Sequence, residues 1–334
     1  VEWQLRIADG EKIPLAQKQI KQTGHAIEVR LYAENPDKDF LPITGHIEQF
    51  IVPDEPWVRV DTGVRGGDDI SIFYDPMIAK IIVEGRDRGE AIKRLRHTLA
   101  RTAVFGLTTN LPLLRGIARH PGFAKGDFDT SFIERELKSL LHRPEITPEV
   151  ITAALVRQRH NSYNPPGDPW QDDGWRLAGS CGQRLLLRDE HGNEEPLRVF
   201  AAQGGAFRFE RGEITCESAA PSADSCVLNQ DNSFQVAIDD QAFVFTLISA
   251  FAPHTAAVAD TATHPVSPMP GRIVAVHVKD GDAVKVGQAL LVLEGMKMEY
   301  TVKAGVDGTI EKLLYAEGDM VDAEAPLINI EASE

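Results

Sequence analysis

A single lysine, Lys297, stands between Met296 and Met298, two of the chain's 5 methionines, in the segment EGMKMEY. A lysine at a tight turn projects its four-carbon stem and ammonium into solvent, where a modifying enzyme can reach it. An ordinary surface lysine is the alternative, but it leaves two exposed or half-exposed methionines unexplained where polar residues would be expected. Lys297 is therefore a candidate modification site.

The residues around Lys297 contain an internal repeat. Residues 271–294 and 308–331 align with a shift of 37 residues, and glycines, Gly-Asp pairs and apolar positions coincide. Each copy has the pattern of a strand, a Gly-Asp turn and a second strand. The pair predicts an all-β flattened barrel with approximate twofold symmetry over residues 267–334, with Lys297 in the connection between its halves.

Residues 1–140 mix strand and helix patterns, which predicts an α+β unit. Alternation over residues 25–34 places Glu28 and Arg30 together on one face of a strand. A second strand over 77–85 is followed by apolar residues at helical spacing. Two further helices are predicted from apolar stripes, formed by Val1, Leu5 and Ile7, and by Ile133, Leu137, Leu140 and Leu141.

Residues 141–251 begin with helix signals, because Thr147 is a suitable N-cap and Pro148 follows at the first helical position. Short strand-like runs separated by turn residues come next and predict a small antiparallel barrel or sandwich. Residues 252–266 are rich in Ala, Pro and Thr, which is typical of a flexible linker. The expected fold class is multidomain α+β.

The composition excludes several classes of protein. A chain of 334 residues with 43% hydrophobic residues can bury the cores of two or three domains. Its net charge of -15 argues against nucleic acid or an anionic membrane surface as the main partner. No apolar run is long enough for a membrane span, and the 3 cysteines form no CxxC pair. We expect a reducing compartment, with the bacterial cytoplasm favoured over the mitochondrial matrix.

The segment EGMKMEY resembles the biotin-attachment motif of biotin carboxyl carrier domains, E-A-M-K-M, with Gly295 in place of the usual alanine. Lipoyl domains share the fold and the lysine but usually lack methionine on both sides. Residues 24–47, 74–99 and 106–117 resemble the C-terminal part of biotin carboxylase domains. The middle block resembles, more weakly, the linking domain (the BT domain) of acyl-CoA carboxylase alpha subunits.

The resemblance implies specific roles for residues of this chain. Biotin would be attached to Lys297 between Met296 and Met298, and no metal ligand is expected. Arg30 matches the residue whose guanidinium holds the biotin enolate oxygen, with an ion pair to Glu28 as the structural alternative or as a support. Asp75 could orient basic groups or serve only as an Asp-Pro turn residue. ATP, magnesium and bicarbonate would be used by an ATP-grasp part upstream of Val1, so this chain alone is expected to be inactive.

The resemblance also implies partners and a substrate class. A carboxyltransferase beta subunit would receive the carboxyl group and bind the acyl-CoA, a biotin protein ligase would modify Lys297, and the assembly would be a hetero-oligomer. The stretch DPW…DDGWRL (residues 168–177) looks most like methylcrotonyl-CoA carboxylases. Propionyl-CoA or geranyl-CoA carboxylation and a non-catalytic biotin carrier module are the alternatives.

Overall fold

The computed structural model describes residues 1–142, 146–148, 150, 151, 153, 182–189, 194–201, 207–211, 214–218, 226–230, 233–238, 240–248, 263–296 and 298–332. Four sequence-based expectations fall wholly or largely outside these residues. They concern Lys297, most of the helix predicted from Thr147, the stretch 168–177 and most of the linker 252–266.

The first part of the chain is an α+β domain, as expected. Its helices are α1 (Glu2–Ala8), α2 (Arg88–Arg101), α3 (Leu111–Arg119), α4 (Pro121–Lys125) and α5 (Phe132–Leu140). Its strands are β1 (His25–Tyr32), β2 (Glu34–Asn35), β3 (Leu41–Pro42), β4 (Gly45–His46), β5 (Gln49–Ile51), β6 (Val58–Thr62), β7 (Asp69–Ile70), β8 (Met77–Gly85) and β9 (Ala103–Phe105). The strand predicted over 77–85 is confirmed over its whole length.

Strand β8 is the centre of a 3-stranded antiparallel sheet in the order β1-β8-β6. Its residues Ala79, Ile81 and Val83, which alternate onto one face, are almost fully buried, and α2 covers that face of the sheet. Gly85 is required where strand and helix meet, since a Cβ there would lie 2.5 Å from the backbone nitrogen of Ala91. The sheet and α2 together form the core of the first domain.

Helix α2 has the periodicity that its sequence predicts. Asp87 caps it by accepting a hydrogen bond from the N–H of Glu90 at 2.9 Å. Leu95 and Leu99, one helical turn apart, are buried against the sheet, with exposed fractions of at most 1%. Helix and strand are thus held together by a stripe of apolar side chains one turn apart.

Two predicted apolar stripes pack differently from expectation. In α1 no side chain is buried, so the stripe of Val1, Leu5 and Ile7 lies exposed. In α5 the buried residues are Phe132 and Leu140, whereas Ile133 is exposed. The prediction for Ile133 is wrong because Phe132 instead packs with Leu113 and Leu140 in a small cluster below α3.

The middle part contains a 7-stranded antiparallel sheet. Pro148, Val150, Ile151 and Ala153 are helical, in agreement with a helix that begins at Pro148. Val150 and Ile151 pack into the same apolar cluster as the sheet's phenylalanines. The strands are β10 (Gln183–Asp189), β11 (Glu194–Ala201), β12 (Phe207–Arg211), β13 (Ile214–Ser218), β14 (Cys226–Gln230), β15 (Ser233–Ile238) and β16 (Gln241–Ile248). Their order in the sheet is β13-β12-β11-β10-β16-β15-β14.

The last part is an all-β unit with the predicted internal symmetry. Its strands are β17 (Gly271–Val276), β18 (Ala283–Val284), β19 (Ala289–Gly295), β20 (Met298–Lys303), β21 (Gly308–Leu313), β22 (Met320–Val321) and β23 (Ile328–Ala332). Strand β17 pairs with β22 and β18 with β21, so each repeat lends its short strand to the other. Bulges fall at equivalent places, between Ile273 and Ala275 and between Ile310 and Lys312.

Buried hydrogen bonds join the first domain to the middle sheet. Gln235 of β15, 3% exposed, donates to the carbonyl oxygens of Ala100 at 3.0 Å and Thr102 at 2.7 Å. Its Oε1 accepts from Nη2 of Arg115 at 2.9 Å, and Nε of Arg115 donates to the carbonyl oxygen of Leu99 at 3.0 Å. These carbonyl groups lie at the C-terminal end of α2. The last carbonyl groups of a helix have no partners within it, and the helix dipole favours a cation there.

We expect Gln235→Leu to destabilise this interface. The substitution removes one acceptor of Arg115 and the side-chain donor to the carbonyls of Ala100 and Thr102. Arg115 still donates to the carbonyl oxygen of Thr102 at 2.9 Å, so the carbonyl of Ala100 is the group most affected, and a buried polar group left unpaired costs about 1–3 kcal/mol. Urea denaturation should show a lower midpoint than for the parent. Gln241→Leu, at a half-exposed glutamine of β16, is the matched control; equal midpoints for the two variants would contradict the prediction.

Candidate functional site

The predicted attachment site lies in the hairpin between β19 and β20. Gly295 pairs with Met298 in the antiparallel register, which leaves two residues in the connection. Met296, the first of them, has φ of 50°, the left-handed conformation that the favoured two-residue hairpin turns require. Lys297, the second, lies outside the described residues.

The strand that leads into this hairpin passes close to β17. A Cβ on Gly295 would lie 2.7 Å from the carbonyl oxygen of Pro270, and one on Gly271 would lie 2.6 Å from that of Glu294. An alanine at 295, the usual residue of the motif, would therefore require the backbone near Pro270 to shift. Glycine is the residue that fits the spacing between these strands.

The two methionines beside Lys297 have different environments. Met298 is 43% exposed, as expected, but Met296 is only 5% exposed. The expectation of surface exposure is wrong for Met296 because its side chain belongs to the apolar cluster of the first domain, with Ile27, Ile78 and Leu95 among its members. The hairpin therefore contacts the domain that carries Arg30.

Arg30 lies on β1 with its side chain directed away from the buried face of the sheet. Its Nε is 3.5 Å from Oε1 of Glu28, and the side chains are 57% and 43% exposed. A hydrogen bond with Tyr32 and the ion pair with Glu28 raise the pKa of Arg30, so the guanidinium stays protonated. Both arrangements considered from sequence are thus compatible, since Glu28 can orient an arginine that remains open to solvent.

The register places a second cation beside Arg30. Lys80 of β8 is directly opposite Arg30 on one side and opposite Asp61 of β6 on the other. The adjoining cavity, about 320 Å³, is lined by residues 61–63 and 77–80. Lys80 was not singled out from sequence, because only the pairing of β1 with β8 brings the two cations together.

Asp75 acts in the turn before β8. Its Oδ1 accepts a hydrogen bond from the N–H of Met77 at 3.1 Å, as expected of an Asp-Pro turn residue. Partial burial raises the pKa of Glu34, and the negative charge of Asp75 raises it further, against the effect of a hydrogen bond from Asn110. Asp75 and Glu34 therefore form an acidic edge near the end of β1.

The structure also shows residues that sequence reasoning passed over. Asn110 is 5% exposed and its side chain bonds to the backbone of β1 at Arg30 and Tyr32. In sequence it precedes an apolar helix and so has the pattern of a helix cap. No local pattern could have shown that it contacts a strand some 80 residues earlier.

Two family models match the chain. The model of the biotin carboxylase C-terminal domain matches residues 28–135, which include Arg30, Glu28 and Asp75. The model described as biotin-requiring enzyme matches residues 265–330, which include Lys297. The chain therefore contains a biotin carboxylase C-terminal domain and a domain of the biotin-requiring enzymes, and this last domain implies covalent biotin as the cofactor.

Two kinds of carboxylase alpha subunit match nearly the whole chain. The mitochondrial methylcrotonoyl-CoA carboxylase alpha subunit of Dictyostelium discoideum is 32% identical, over 98% of this chain and 51% of its own length. That of Rattus norvegicus is 34% identical, over 100% of this chain and 51% of its own length. The propionyl-CoA carboxylase alpha chain of Homo sapiens is 31% identical, over 99% and 49% respectively. The chain spans about half the length of the curated relatives it matches.

Within the part of the chain that the structure describes, no helix is both long enough and apolar enough to cross a bilayer.

We expect the two methionines of the hairpin to oxidise at different rates. Hydrogen peroxide should convert Met298 to the sulfoxide well before Met296, because 43% of Met298 but only 5% of Met296 is exposed. Met320, 53% exposed on the same domain, serves as the internal reference. Peptide mass spectrometry measures all three, and oxidation of Met296 at the rate of Met298 would show that the hairpin does not contact the first domain.

Proposed function

We propose that this chain is the biotin-bearing part of an acyl-CoA carboxylase alpha subunit, with biotin on Lys297 and Arg30 contributing to its carboxylation. The observation that carries the proposal is the burial of Met296 in the apolar cluster of the first domain. This contact holds the hairpin that contains Lys297 against the domain that contains Arg30. The domains proposed as carrier and as loading site are therefore in contact within one chain.

The residues around the hairpin suit the covalent attachment of biotin. Glu294, Met298 and Glu299 are exposed around the turn, so a ligase can approach it, while Met296 anchors its other side. Biotin, when bound, supplies a ureido nitrogen that accepts and releases a carboxyl group. The chain supplies the two-residue connection and the anchoring contact of Met296.

Arg30 would provide fixed positive charge at the loading site. A guanidinium remains protonated and offers several donors in a plane, so it stabilises anionic charge without reorganising. Glu28 limits the positions that this side chain can take, and Lys80 adds a second positive charge from the adjacent strand. The use of ATP, magnesium and bicarbonate is proposed by analogy with the family. Arg30, Glu28 and Lys80 are not assigned to bind them.

We propose 3-methylcrotonyl-CoA as the acyl substrate, to be bound by a carboxyltransferase beta subunit in a hetero-oligomer. Support comes from methylcrotonoyl-CoA carboxylase alpha subunits that match nearly the whole chain at 32–34% identity. Propionyl-CoA is the second candidate, because its carboxylase alpha chains match almost as well, at 30–31%. Four expectations stay predictions from sequence. They are geranyl-CoA as the substrate, a non-catalytic carrier role, biotin protein ligase as the modifying partner, and a cytoplasmic rather than mitochondrial location.

Attachment of biotin can be tested by intact mass. After co-expression with a biotin ligase, the chain should gain one biotin-sized increment, and Lys297→Arg should lose it because arginine cannot form the amide. Lys303→Arg, at the end of strand β20, which follows the connection, should keep it and serves as the control. An increment that survives Lys297→Arg, or none in the parent chain, would refute the assignment.

The role of Arg30 can be tested in the holoenzyme. Arg30→Ala should slow bicarbonate-dependent carboxylation of biotin by about 10²–10³-fold, the usual cost of removing one preorganised donor. The carboxyltransferase half-reaction should be unchanged. Arg135→Ala removes an arginine of α5 that is similarly exposed and pairs with Asp129 at 3.3 Å, and should leave both half-reactions unchanged. Equal rates for Arg30→Ala and the parent would remove Arg30 from the mechanism.

A further inference from the structure

Asn110 occupies the N-cap position of α3 but does not cap that helix. Its side chain makes no capping hydrogen bond, although an asparagine in this position usually accepts one from the second or third N–H of the helix. At 5% exposure the amide is removed from water, where unpaired polar groups are costly. The side chain must therefore serve other partners.

Those partners are backbone groups of β1 beside Arg30 and the side chain of Glu34, which also hydrogen-bonds with Asn110. Nδ2 of Asn110 donates to the carbonyl oxygen of Arg30 at 3.2 Å, and Oδ1 accepts from the N–H of Tyr32 at 3.0 Å. The backbone N–H of Asn110 donates to the carbonyl oxygen of Tyr32 at 3.1 Å. One residue thus satisfies three backbone groups at the end of β1.

Strand β1 depends on this support because it is an edge strand with an interrupted ladder. Among the described strands it pairs with β8 alone, and the register skips one residue of β8 between Leu31 and Tyr32. A bulge of this kind disrupts the ladder and bends the strand. The bonds from Asn110 reach across the bulge and hold the two peptide groups that follow Arg30.

We propose that Asn110 is a positioning residue for Arg30, fixing the β1 backbone so that the guanidinium projects from the sheet in one direction. The inference rests on the proposed function, in which Arg30 stabilises anionic charge. An amide suits this task because it offers a donor and an acceptor together, whereas an ionised aspartate only accepts and a leucine does neither.

The hydrogen bonds can be tested in this chain without catalysis. Asn110→Ala should speed amide hydrogen exchange at Tyr32 relative to the parent, because the N–H loses its acceptor. Asn110→Asp is the second variant, isosteric with asparagine, in which the acceptor for Tyr32 stays and the donor to the carbonyl of Arg30 is lost. Asn35→Ala, which removes a side-chain acceptor for the N–H of Asp37, is the matched control and should leave Tyr32 unchanged. Unchanged exchange at Tyr32 in Asn110→Ala would overturn the proposal.

The effect on rate is measured in the holoenzyme by a double-mutant cycle. Asn110→Ala and Asn110→Asp should lower kcat for biotin carboxylation by about 10- to 100-fold, the scale expected when a reacting group is misplaced by around 1 Å. In an Arg30→Ala background the same substitutions should cost almost nothing further, because the positioned group is gone. Asn35→Ala should leave the rate unchanged.

The outcomes separate the inference from the function on which it rests. If Arg30→Ala abolishes carboxylation and Asn110→Ala does not slow it, the proposed function stands and the positioning role is overturned. If Asn110→Ala costs the same with and without Arg30, the residue acts through the general fold and the positioning role is again overturned. If Arg30→Ala has no effect, the proposed role of Arg30 fails, and the positioning role fails with it.

Discussion

The antiparallel pairing of β8 with both β1 and β6 is the constraint on which the first domain depends. It turns Ile81 and Val83 towards α2 and leaves Arg30, Lys80 and Asp61 in one row across the other face. Because side chains alternate along a strand, a slip of one residue would turn Arg30 into the core and Leu31 out of it. The apolar stripe of α2 fixes the register. The face of the sheet on which Arg30 lies therefore follows from packing rather than from the ion pairs or hydrogen bonds of Arg30 itself.

Local patterns in the sequence predicted the elements well and their long-range contacts poorly. The strand over 77–85, the helix after it and the repeat in the last domain could be predicted because each depends on neighbouring residues and a regular period. The partners of Asn110 and Gln235 could not, because these side chains bond to backbone far away in sequence. Ile133 was assigned to a buried stripe on spacing alone, although the available space below α3 suits Phe132.

The hairpin of the last domain combines an unfavourable backbone with a favourable contact. A left-handed conformation costs a residue other than glycine roughly 1–2 kcal/mol, and Met296 adopts it. Burial of a methionine side chain returns about 1.5–3 kcal/mol, and here the burial is against another domain. The backbone cost is the same whether the hairpin touches the first domain or leaves it, so contact is favoured over release by the burial gain alone, about 1.5–3 kcal/mol.

The hydrogen bonds from Gln235 and Arg115 have a mechanical consequence for the proposed carboxyl transfer. They connect β15 rigidly to the end of α2, so the middle sheet and the first domain form one stationary frame. The proposed transfer would then move the carrier domain alone, against a base made of the first domain and the middle sheet together.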